Sequence, residues 1–122
     1  MTTVTLGATD FESTVREHDI VLVDFWAAWC GPCRQFGPIF EKASEEHPDI
    51  VFGKVDTEAE QALAATAQIT SVPTLMAFKD GTLVFSQPGA LPASALGELI
   101  TAVKELDIEE ARRDAGAAGS DS

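Results

Sequence analysis

Apolar residues recur along this chain in blocks of two kinds, compact runs and stripes at helical spacing. Ile20–Trp26 is a near-continuous apolar run, rich in β-branched residues and interrupted only by Asp24. It predicts a central strand covered on both faces. Phe36, Ile39, Phe40 and Ala43 recur at helical spacing and predict a helix from about Pro32 to Glu46 with one apolar face. Pro38 lies inside it, deletes a backbone N–H and predicts a kink. Val4–Leu6 reads as a short strand, and Thr9-x-x-Glu12 as a capping box opening a helix through about Glu17. Val51–Asp56 is the next strand, and alanine-rich Glu58–Gln68, with Leu63, the next helix. Thr74–Lys79 and Thr82–Ser86 are strands joined by the hairpin signal Asp80-Gly81. Pro92 suits the first turn of a last helix, with Leu96, Leu99, Ile100 and Val103 as its buried stripe.

The order β-α-β-α-β-α-β-β-α implies parallel crossovers followed by an antiparallel hairpin, an α/β architecture. From Asp107 the pattern dissolves into Glu109, Glu110, Ala115-Gly116-Ala117-Ala118-Gly119 and Ser120-Asp121-Ser122. We expect one domain over residues 1–106 and an acidic, disordered tail over 107–122.

Charge narrows the partners. Among 122 residues, 20 acidic against 8 basic side chains give a formal net charge of −12. Such a chain repels nucleic acid and anionic membranes, and the charge favours a soluble monomer. The N-terminus lacks the cationic start and apolar run of a secretory signal. Asp24 cuts the apolar segment Ile20–Val23, so no membrane span is expected. Two cysteines spaced C-x-x-C do not suggest a disulfide framework, and the simplest compartment is the reducing cytoplasm.

The chemistry concentrates in Trp29-Cys30-Gly31-Pro32-Cys33, which holds both cysteines. A helix starting near Gly31 or Pro32 puts Cys30 at its N-terminal end. Free N–H groups and the macrodipole there stabilise a thiolate, so Cys30 is expected to be the low-pKa nucleophile. Cys33, one turn in, is expected to be more buried and less reactive. Pro32 fixes its own φ and lacks an N–H that would be unpaired anyway, which stiffens the ring.

Further residues agree with one family. Val23-Asp24-Phe25-Trp26-Ala27 precedes the cysteines, Lys54-Val55-Asp56 lies on the next strand, and Ser71-Val72-Pro73-Thr74 and Pro88-Gly89-Ala90 follow. Over roughly Val4 to Leu106 the chain resembles the thioredoxins. The resemblance likewise implies a lowered pKa for the attacking cysteine. The resemblance implies a thioredoxin fold: a central mixed five-stranded sheet flanked by four helices. It implies a protein-disulfide reductase with a reducing poise, working by Cys30–Cys33 dithiol/disulfide exchange. Electrons would come from a thioredoxin reductase that itself carries NADPH and FAD, so no cofactor is expected on this chain. Disulfide-bearing proteins are the implied substrates. The family further implies that Asp24 takes the proton of Cys33, and that Pro73 is cis with the Val72 backbone pairing to the substrate. Trp29, Gly31, Pro32, Val72, Pro73, Gly89 and Ala90 would form a shallow groove.

Plainer readings stand beside these. Asp24 could face solvent or pair with Lys54, although its apolar neighbours favour burial, which would raise its pKa. Lys54 either balances Asp24 or is a strand-face lysine. Without the resemblance, Pro73 would be trans and Gly89 an ordinary turn glycine. Trp26 reads as core, and His18 and His47 as solvated helix caps. Arg34 stands where thioredoxins commonly carry lysine; Pro88 stands where many carry a β-branched residue and could end the last strand early. Zinc needs four ligands that neither histidine is spaced to complete, and a cysteine hydrolase needs a histidine beside the thiol. A redox-silent docking module uses the same surface and differs in surviving Cys30→Ser. An oxidant or isomerase is disfavoured by the acidic exterior and the missing signal.

Overall fold

The computed structural model describes residues 2–109. Its elements are β1 (Thr3–Thr5), α1 (Phe11–Glu17), β2 (Ile20–Trp26), α2 (Gly31–Glu46), β3 (Val51–Asp56), α3 (Gln61–Thr66), β4 (Thr74–Lys79), β5 (Thr82–Pro88) and α4 (Ala93–Glu105). The five strands form one sheet in the order β1-β3-β2-β4-β5. β3 runs parallel to both β1 and β2, whereas β4 is antiparallel to β2 and β5. The described residues form the expected mixed five-stranded sheet with four helices.

The alternation along β2 divides the core. Val21, Val23 and Phe25 point into a cluster with Val15 of α1, Val55 and Met76, edged by Phe11 and Leu63. Leu22 points the other way, joining Phe36, Phe40 and Ala43 of α2 and Leu96, Ile100 and Val103 of α4. Two helices therefore cover each face, which is why Ile20–Trp26 reads as a continuous apolar run. Asp24 lies on the Leu22 face, the one α2 covers, opposite Lys54 of β3 and Leu75 of β4 in the ladder.

Several boundaries differ from expectation. β1 starts at Thr3 because its pairing to Phe52, Gly53 and Lys54 starts there. The Thr9–Glu12 capping box does not form: Asp10 is the N-cap of α1, and its carboxylate instead accepts from the Gly7 N–H at 2.7 Å. α3 begins three residues later than expected, since the Asp56 carboxylate accepts from the Glu58 N–H at 2.9 Å and holds 56–59 in a turn. Pro92 is the N-cap of α4 rather than its first helical residue. β5 continues through Pro88, which pairs in register with Thr74. Proline is tolerated there because β5 is an edge strand. α2 runs through Pro38 without interruption. Asp107 is followed by helical backbone at Ile108 and Glu109. The rest of the expected tail, 110–122, lies outside the described residues.

Candidate redox-active site

The site sits where the C-terminal end of β2 feeds α2. Cys30 is the N-cap of α2, in extended backbone, followed by Pro32 in the first turn. Its sulfur takes the place of a capping oxygen: the Cys33 N–H donates to Cys30 Sγ at 3.1 Å. A helix-terminal N–H aimed at sulfur, with the macrodipole behind it, favours negative charge on Cys30 once the disulfide opens. Cys30 and Cys33 form a disulfide with Cα atoms 5.2 Å apart. Cys30 Sγ also lies 3.5 Å from the Val72 carbonyl oxygen. That is a plain contact in the disulfide and within reach of a hydrogen bond donated by a reduced thiol.

One expectation fails here. Cys33 is not the more buried cysteine: Cys30 is 3% exposed and Cys33 5%. Cys30 is tucked between Val72 and the helix terminus, so the two differ in position along α2 rather than in depth.

Asp24 is completely buried, and neither carboxylate oxygen finds a hydrogen-bond partner among the described residues. Desolvation pushes its pKa from 3.8 up to about 7, against the opposing pull of the Lys54 charge. Lys54 is half-buried, with Nζ 5.4 Å from the centre of the Trp26 ring. Trp26, read from sequence as core, lines a cleft of about 350 Å³ together with Cys33, Lys54, Gly37 and Glu41.

The residues expected to form a groove lie on the Trp29–Pro32 segment, the cis-proline loop and the turn after β5. Trp29 is 66% exposed, and Gly31 and Pro32 are exposed beside it. The Val72–Pro73 bond is cis, with Val72 half-buried and packed against the cysteine cluster. Gly89 has φ +103° and donates its N–H to the Pro73 carbonyl at 2.8 Å, which ties its turn to the cis-proline loop. That backbone region favours glycine, as a turn at this position requires. Ala90 follows it, exposed. Sequence reasoning overlooked a hollow of about 190 Å³ beside Trp29 and Val72, lined by Thr57, Ala64, Ile69, Thr70 and Ser71. The one available signal was the position of Ser71 next to Val72-Pro73.

The histidines stand apart. His18 and His47 are the C-caps of α1 and α2. Cys30 is at the opposite end of α2 from His47, about 25 Å away at 1.5 Å per residue. No group of three or more His, Cys, Asp or Glu able to hold a metal occurs among the described residues.

A thiol pair capping a helix, a cis-proline loop facing it and a buried carboxylate behind it are features of thiol–disulfide exchange proteins. The thioredoxin family model matches residues 2–102. A Streptomyces coelicolor protein provisionally assigned as thioredoxin 2 is 53% identical over 111 residues, 91% of this chain and 83% of that protein. Thioredoxin-1 of Saccharomyces cerevisiae is 39% identical over 87 residues, 71% of this chain and 84% of its own. Among solved structures, a mutant thioredoxin from Halobacterium salinarum superposes with a TM-score of 0.78 at 36% identity, covering 86% of this chain and 92% of that one. The chain belongs to the thioredoxin family. It is a thiol–disulfide oxidoreductase of the protein-disulfide reductase type, and its redox group is the Cys30–Cys33 pair.

Proposed function

We propose that this thioredoxin reduces protein disulfides in the cytoplasm as a monomer and is recycled by an NADPH-dependent, FAD-containing thioredoxin reductase. Cys30 thiolate attacks one sulfur of the substrate disulfide, releases the other as a thiolate and forms a mixed disulfide. Cys33 then gives its proton to Asp24 and attacks Cys30 Sγ, and the substrate's second sulfur leaves as a thiolate. Two electrons pass from the dithiol to the substrate. Lys54 adjusts the proton affinity of Asp24 by its charge. Trp29, Gly31, Pro32, Val72, Pro73, Gly89 and Ala90 form the substrate groove.

The observation that carries this reading is the asymmetry of the pair. Cys30 Sγ receives a helix-terminal N–H, whereas Cys33 lies inside α2 and shares a cleft with Lys54, the neighbour of Asp24. The acidic exterior is consistent with a protein that meets others through the small apolar patch around Trp29. We assign the redox domain to residues 1–106 and treat 107–122 as a solubilising extension dispensable for exchange.

The test is reduction of a model protein disulfide coupled to thioredoxin reductase and NADPH. Cys30→Ser should abolish turnover, and Cys33→Ser should accumulate a mixed disulfide at Cys30, visible by intact mass. If the wild-type dithiol shows no turnover with active reductase, the docking-module reading takes its place.

A further inference from the structure

The hollow of about 190 Å³ beside Trp29 adjoins the reacting sulfur. Val72 forms part of its wall, and the Val72 carbonyl oxygen lies 3.5 Å from Cys30 Sγ. The deeper residues of the hollow are apolar: Ala64 is buried and Ile69 half-buried, and the Ile69 N–H donates to the Ala64 carbonyl at 2.9 Å. The more accessible ones, Thr57, Thr70 and Ser71, all carry hydroxyls.

These hydroxyls are not equivalent. Thr57 Oγ1 donates to the Trp26 carbonyl at 3.0 Å, beside the Thr57 N–H at 2.9 Å, so towards a ligand it can only accept. The Thr70 and Ser71 hydroxyls have no hydrogen-bond partner among the described residues, and both residues are exposed. Their backbone is nevertheless fixed. The Ser71 carbonyl accepts from the Thr74 hydroxyl at 2.7 Å, and two residues on the Pro73 carbonyl accepts from the Gly89 N–H at 2.8 Å. Two uncommitted hydroxyls are thus held on a braced loop next to the sulfur that reacts. A large apolar side chain laid over them strips their water and returns no hydrogen bond. A short side chain with a donor or acceptor replaces that water.

We propose that this hollow is a side-chain subsite, and that Thr70 and Ser71 make the protein prefer disulfides with a short hydrogen-bonding side chain (serine, threonine or asparagine) two residues from the attacked cysteine. The inference rests on the substrate groove proposed above, in which the substrate pairs with the Val72 backbone. Side chains of an extended segment alternate, and the chain rises about 3.3 Å per residue. The second residue from the cysteine therefore shares its face and lies about 7 Å along the strand, over the hollow on the far side of Val72.

Uncharged peptides with one cysteine, linked as symmetric disulfides, test it. Each carries serine, asparagine or leucine at the second residue before or after the cysteine and glycine elsewhere. The reduced protein is mixed with each, quenched with acid, and the released peptide thiol measured. Every rate constant is divided by that for dithiothreitol, which reports the peptide's intrinsic reactivity. At one of the two positions serine and asparagine should react about three- to tenfold faster than leucine, the worth of one hydrogen bond. Thr70→Val combined with Ser71→Ala should invert that order, and Ser71→Ala alone should move it part of the way. Ratios within one variant cancel any loss of folded protein. Equal rates at both positions, a wild type that prefers leucine, or a ratio unchanged in the double variant overturns the subsite. Amide NMR of the mixed disulfide between Cys33→Ser and the serine peptide separates this outcome from failure of the groove. A shift at Val72 without the rate preference leaves the groove standing and removes the subsite, whereas no shift at Val72 removes both.

Discussion

Asparagine in place of Asp24 keeps the shape of the side chain and removes its titration, which isolates the energetic cost of the buried acid. The folded pKa stands at about 7 against 3.8 for the free side chain, because burial strips water from the carboxylate and no donor replaces it. Each pH unit between those values corresponds to about 1.4 kcal/mol, so the whole interval amounts to about 4 kcal/mol. The native state binds the extra proton, so the stability contributed by neutral Asp24 is fully present below pH 3.8. It is lost progressively as pH rises and is gone above about 7. The asparagine variant has no such loss. Its buried amide carries an unpaired-group cost of about 1–3 kcal/mol, but that cost does not vary with pH. The difference in unfolding free energy between Asp24→Asn and wild type, both oxidised, should therefore grow by about 4 kcal/mol between pH 4 and pH 8. Urea denaturation at half-unit pH intervals measures it, because the other titrating groups cancel in the difference. A difference that stays flat across this range would refute the reasoning, for the burial of Asp24 would then carry no ionisation penalty.

Three further outcomes follow from particular contacts. Lys54→Met removes the one charge that opposes the burial effect, so the Asp24 pKa should climb above about 7; carboxyl NMR titration reads it, and a fall would contradict the assigned causes. Lys79 Nζ donates to the carbonyls of Val103, Lys104 and Leu106 at 2.8, 2.9 and 2.7 Å, where α4 ends. Lys79→Met should cost about 1.5–3 kcal/mol of stability with exchange unaffected, and a loss below about 0.5 kcal/mol in urea melts would show that water replaces the clamp. Gly89→Val forces a β-branched residue to φ +103° and should destabilise by about 1–3 kcal/mol while raising the KM for a protein disulfide. A variant of wild-type stability would mean that the turn relaxes freely.

Much of the fold was legible because each strand and helix announces itself through local spacing. The run Ile20–Trp26 and the α2 stripe are signals of burial on two faces and on one, and the sheet and its helices followed. Element ends were less legible. The start of α3 depends on which side chain captures a free N–H, and Asp56 won that competition over the alanine-rich helix start, while at α1 the Asp10 carboxylate turns back to the Gly7 N–H and the Thr9 box is lost. Such contests turn on a kcal/mol or so, which spacing does not register.

At the site, the sequence by itself determined which atoms can exchange sulfur. Two thiols three residues apart at a helix start leave only Cys30 and Cys33, and the position of Cys30 at the helix end decides where a thiolate is favoured. Other properties needed the chain to close on itself. Asp24 becomes a weak acid only because α2 covers its face of the sheet, and Cys30 becomes as buried as Cys33 only because Val72 arrives from 42 residues away. The cleft beside Cys33 exists only where α2 packs over the end of β2 and Lys54 of β3. Desolvation depends on everything that surrounds a group in space, whereas a pattern of residues records only what lies beside it along the chain.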